Sequence, residues 1–205
     1  MLKRLFGRNK PVASPPLPPA WTGPAWQAPQ THYQTYFNLH LHNLPLDVAT
    51  TALTAKYLYA APLDPAILVQ PQGAWITAYF APELVAKVGF NKLAAEIARE
   101  HNTWLIGYRI YAEQGMDVHY FDRAEHVAGL ALGQDELERE PLAPEIFAEL
   151  ADVRHIVPRV ATQHPLDFHF ALLHALGIQA ADLTWVEALR LYENGALDGA
   201  QLLPA

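Results

Sequence analysis

Between Tyr33 and Phe121 the apolar residues change period in a set order, and that order restricts the available folds more than any other feature of the chain. In "YQTYFNLHLH", Tyr36, Asn38, His40 and His42 alternate with Phe37, Leu39 and Leu41, the period-2 pattern of a half-buried strand. "LPLDVATTALTAKYLYA" then reads as a helix opened by Pro45 and Asp47, since proline suits the first turn and an acid suits the positive end of the dipole. "AILVQ" and "AWITAYF" form two strands around the turn signal "PQG". "PELVAKVGFNKLAAEIAREH" returns to helical period, with Phe90, Leu93, Ala94 and Ile97 on one stripe and Gly89 dividing it. "TWLIGYRIY" and "DVHYF" close the series as strands around "AEQGM".

The order is β-α-β-β-α-β with one further strand. It predicts an α+β fold, a ferredoxin-like or split βαβ-type antiparallel or mixed sheet with two helices on one face. From Asp122 onward the pattern is helical: a short helix after Asp122, then helices near 144–156, 165–176 and 185–194, expected to pack as a C-terminal helical cap. Thr184 and Glu187 form a capping box at the start of the last. The domain reading is a basic, proline-rich tail over 1–30 and one domain over 31–205, its sheet region at 31–122 and its helical region at 123–205.

At 205 residues and 51% hydrophobic, the chain can bury a sizeable core. Only 17% of it is charged, which suggests an apolar face kept for a partner. The first ten residues hold Lys3, Arg4, Arg8 and Lys10 and no acid, so the body is more acidic than the net charge of −7. An acidic body argues against binding nucleic acid, which needs a clustered basic face. The acids concentrate at Asp135, Glu136, Glu138 and Glu140, a candidate surface for a basic partner.

The inventory removes several chemistries. There is no cysteine, and Ser14, in the proline-rich tail, is the single serine. The folded body therefore offers no thiol or serine nucleophile and no zinc–thiolate site. Phosphate loops, dinucleotide-binding turns, nucleophile elbows and H-E-x-x-H are absent from the sequence. No apolar run approaches the roughly 18 residues that span a membrane, and the basic start lacks a signal-peptide core, so a cytoplasmic location is expected.

Histidines supply what chemistry remains. "HPLDFHFALLH" carries His164, Asp167, His169 and His174, but it reads as a helix with Pro165 at its start and Gly177 past its end. Residues five apart on a helix diverge by about 140°, so His169 and His174 cannot hold one ion. His40 and His42 share a strand face and could line a pocket or contribute two ligands. "HYFDRAEH" places His119, Asp122, Glu125 and His126 within eight residues at a strand-to-helix junction, the best catalytic candidate in the chain. A helix N-cap formed by Asp122 and Glu125 explains half of that cluster without any chemistry.

The expectation is a non-enzymatic module that binds another protein or a second copy of itself, without a cofactor. The alternative is a histidine–carboxylate or metal-assisted enzyme using His119, Asp122, Glu125 and His126, with a divalent metal at His40, His42, His119 and His126. A third reading is a peripheral membrane protein held by residues 1–10.

Overall fold

The computed structural model describes residues 36–59, 65–85, 87–111, 115–123, 125–132, 137–139, 172–174, 176–178, 181 and 183–204. The fold is α+β. Strands β1 (Tyr36–His42), β2 (Ile67–Gln72), β3 (Trp75–Phe80), β4 (Trp104–Tyr111), β5 (Gly115–Asp122), β6 (Glu125–Leu132), β7 (Leu137–Arg139) and β8 (Gln201–Leu203) form one sheet. Its order is β7-β6-β5-β4-β1-β3-β2-β8, and neighbouring strands run antiparallel. Helices α1 (Leu46–Leu53), α2 (Pro82–Val85), α3 (Phe90–His101) and α4 (Trp185–Glu193) complete the described elements, α1 running on as a π-helical turn over Thr54–Leu58.

Alternation on the strands gives the sheet two unlike faces. Phe37, Leu39 and Leu41 of β1 lie with Ile76, Ala78, Phe80, Leu105 and Phe121 in an apolar core. Ala49, Ala52 and Leu53 of α1, Tyr57 of the π turn, and Phe90, Ala94 and Ile97 of α3 close over it. The expected stripe on α3 is thus the buried one. Gly89 does divide the helical stretch, standing as the N-cap of α3. At the other end Asn102 takes the left-handed conformation (φ 50°), and the Arg99 guanidinium in the last turn suits the negative end of the dipole.

Gly107 sets how closely α3 approaches the sheet. A Cβ there would lie 2.7 Å from two atoms of the Phe90 ring and 3.2 Å from Leu39 Cδ1. The bare glycine lets the first residue of α3 press onto β4. Gly107→Ala is expected to destabilise the protein by about 1–3 kcal/mol through overpacking. Urea unfolding would measure it, and a loss below about 0.5 kcal/mol would mean that Phe90 moves aside freely.

The opposite face carries Tyr36, Asn38 and His40 of β1, Thr77 and Tyr79 of β3, and Tyr108 of β4. These residues are all buried, so β1 is covered on both sides rather than half-buried as expected. Trp185 and Ala188 of α4 pack there against Leu68, Tyr79 and Ala81. The expected capping box is present: Glu187 N–H donates to Thr184 Oγ1 (3.3 Å) and Thr184 N–H to Glu187 Oε2 (3.1 Å).

Three expectations are corrected. The chain after Asp122 is not purely helical, because β6, β7 and β8 belong to the sheet. Asp122 and Glu125 are not a helix cap but partners across the β5–β6 hairpin, with Arg123 between them at φ 58°. Leu137–Arg139, read as part of an acidic loop, is β7. The turn between β2 and β3 also moves, falling at Gly73 (φ 63°) and Ala74, so that Pro71 and Gln72 extend β2. Residues 1–30, the helix expected at 144–156 and most of 165–176 lie outside the described residues. Gly177 (φ 90°) does follow a helical segment at 172–174, where Leu173 is buried and His174 exposed.

Candidate functional site

The start of α3 and the adjoining strands β4 and β5 enclose a cleft of about 290 Å³. Val88, Gly89, Phe90, Asn91 and Lys92 line one side, and Arg109, Asp117 and His119 line the other. The sheet register explains the second group. Arg109 pairs with Asp117 across β4–β5, and His119 pairs with Gly107, which pairs in turn with Leu39. His119 therefore stands on the helix-covered face, beside the glycine that admits Phe90. Arg109, Asp117 and His119 are half-buried on the strands, whereas Asn91 and Lys92 are exposed on the helix.

One hydrogen bond joins the two sides. Asn91 Nδ2 lies 2.7 Å from His119 Nε2. A side-chain NH2 only donates, so Nε2 accepts and the ring proton belongs on Nδ1. The imidazole lone pair that a general base would use is thus held by an amide. The His119 ring also stacks on Phe121 (6.3 Å between centroids, 27° between planes).

His119 and Asp122, three apart on a strand, are on opposite sheet faces. Asp122 Oδ1 sits 3.5 Å from Arg123 Nε. Glu125 is the register partner of Asp122, and His126 that of Phe121. The strand-to-helix junction expected for this cluster is a strand–turn–strand hairpin. The side chains of Glu125, His126 and Glu138 lie outside the described residues, as do Asp135, Glu136 and Glu140 entirely.

His40 and His42 share a face, as the alternation predicted, but their surroundings differ. His40 is fully buried, with Nδ1 2.9 Å from Thr77 Oγ1. Its Nε2 has no hydrogen-bond partner among the described residues. Burial pushes its pKa down to about 3, so the ring is neutral near pH 7. His42 is partly exposed, rests against Trp75 (4.7 Å between centroids), and is also lowered by burial. His40 pairs with Ile106 and His119 with Gly107, neighbours on β4, so the sheet separates the two imidazoles. A single ion held by both cannot form. Among the described residues no three His, Cys, Asp or Glu side chains gather as a metal site.

Asn38 organises the rest of the inner polar face. Its Nδ2 lies within hydrogen-bond reach of Tyr108 Oη (2.8 Å) and the carbonyls of Leu183 (2.8 Å) and Ala181 (3.1 Å), three acceptors that share its two hydrogens. Tyr108 Oη also donates to the Ala181 carbonyl. Sequence reasoning missed both Asn38 and the trio of Asn91, Arg109 and Asp117. The one signal for the cleft was Gly107 in mid-strand, a mark of close backbone approach.

Comparison with protein families, with curated proteins and with solved structures finds no match for this chain. The residues of the cleft therefore carry the functional reading on their own. Among the described residues no helix is long and apolar enough to cross a membrane.

Proposed function

We propose that this chain is a non-enzymatic protein-interaction module and that the cleft at the start of α3 is its contact point. The observation that carries this reading is the Asn91–His119 hydrogen bond, which occupies the imidazole lone pair with an amide. Such a pair recognises polar groups more readily than it abstracts a proton. Among the described residues the large exposed apolar side chains are Tyr59 and Val186, on separate elements. Scattered singly they mark no apolar docking face, so the polar cleft is the better candidate than the apolar surface expected from composition.

The finer fold reading is ours as well. The order β4-β1-β3-β2, with α1 and α3 on one face, supports a ferredoxin-like, split βαβ core. The bonds from Asn38 to the Ala181 and Leu183 carbonyls support a C-terminal cap on the other face.

Light scattering after size exclusion, with affinity capture by wild type, Lys92→Glu and Arg190→Glu, tests the function. Arg190 is exposed on α4, away from the cleft. A partner or second copy held by wild type and Arg190→Glu but lost by Lys92→Glu is expected. A monomer that captures nothing, yet turns over a substrate when a divalent metal is added, would sink the proposal. That result would favour an enzyme centred on His119, for which Asp117 two residues away on the same face is the supporting observation.

A further inference from the structure

The cleft is a positive island in a chain of net charge −7. Within its 290 Å³, the cations Lys92 and Arg109 face a single carboxylate, Asp117, and the neutral His119 ring lines the same wall. Asp117 is the register partner of Arg109, and the acid one turn along α3 from Lys92, Glu96, is engaged by Lys56 at 3.1 Å. The Asn91 amide, already fixed by His119, has a second hydrogen to offer.

The helix backbone adds to this arrangement rather than creating it. In α3 the first intrahelical bond runs from Leu93 N–H to Gly89 O, so the N–H groups of Phe90, Asn91 and Lys92 precede the ladder. Gly89 gives no side-chain cap and the first turn holds no acid. The cleft is lined by that same turn. In α4, by contrast, the corresponding end is closed by Thr184 and Glu187.

We infer that the cleft binds an oxyanion, the carboxylate or phosphoryl group of its ligand, through Lys92, Asn91, Arg109 and His119. This rests on the cleft being the contact point of the module. The shared chemistry is a compact anion whose oxygens accept from a cationic side chain, an amide and backbone N–H groups together.

The test uses the ¹⁵N-labelled full chain, titrated near neutral pH with inorganic phosphate and with acetate, and with chloride at matched ionic strength. Saturable shifts of the Phe90, Asn91 and Lys92 amides with phosphate, acetate or both are expected, and whichever saturates at lower concentration names the source. Lys92→Ala, an exposed substitution, should weaken binding roughly fivefold. Asn91→Asp is the second variant. It places a carboxylate in the first turn and should abolish anion binding, while the thermal midpoint stays level or rises. Shifts that track ionic strength equally for all three salts, or binding untouched by both variants, would overturn the inference. If Lys92→Glu loses the partner but neither anion binds, the oxyanion inference fails while the docking site stands. If anions bind and partner capture ignores Lys92, the inference stands and the docking reading fails.

Discussion

Lowering the pH from 6.5 to 4.5 is expected to remove about 2 kcal/mol of folding stability through His40 alone. Its pKa is about 3 in the folded chain against 6.5 for a free imidazole. Between those values the unfolded chain binds a proton that the folded chain refuses. The unfolded state therefore holds more protons, and stability falls as pH falls through 6.5 and keeps falling toward 3. The cause is burial, because His40 is wholly enclosed and its described neighbours, Thr77 and Tyr108, are neutral. His42 is shifted in the same direction by its lesser burial and adds to the effect.

Carboxylates also titrate toward the acid end of this window, so the measurement is a difference. Urea unfolding of wild type and His40→Gln, repeated from pH 7 to 4.5, isolates the imidazole. Glutamine keeps a polar group beside Thr77 but takes up no proton. The variant's deficit at pH 7 should shrink by about 2–3 kcal/mol at pH 4.5. Parallel curves would show that His40 reaches solvent when it charges.

Asn38→Ala is expected to cost about 3 kcal/mol, and Asn38→Asp more. One amide nitrogen serves Tyr108 Oη and two carbonyls at the approach to α4. Its loss leaves the Leu183 carbonyl without the donor that the inner face supplied, at about 1–3 kcal/mol for each buried group left unmade. Aspartate has almost the same shape but no hydrogen to give, so it would set a buried carboxylate against three oxygens. Urea unfolding gives the size of both effects, and Trp185 fluorescence reports whether α4 leaves Leu68 and Tyr79. An aspartate variant as stable as wild type would exclude this role for the amide.

The sequence made part of this legible because local rules governed it. The stripe from Phe90 to Ile97, the break at Gly89 and the Thr184–Glu187 box depend on residues a few positions apart, and each stands where the spacing puts it. β6 was misread because "EHVAGLAL" is rich in alanine and glycine, which lack strand preference, and because Asp122 and Glu125 imitate a helix cap. Pairing with β5 overrides both signals. The burial of His40 was invisible for another reason: alternation says that a residue shares a face but not what covers that face. The cleft draws Asn91, Arg109, Asp117 and His119 from three elements, and no spacing rule joins them.

The two unlike faces of the sheet also bear on the order in which the molecule assembles. Among the described residues the apolar face is built mostly from elements between Phe37 and Phe121, with Leu203 of β8 joining from the end of the chain, so most of its collapse closes only moderate loops. The polar face waits for Ala181 and Leu183, and the Asn38–Leu183 contact spans 145 positions. During synthesis β1 would be sealed on one side while Asn38, His40 and Tyr108 still faced water, which polar side chains tolerate far better than leucines would. A buried surface made of amide, imidazole and phenol groups is thus suited to being the last one dried.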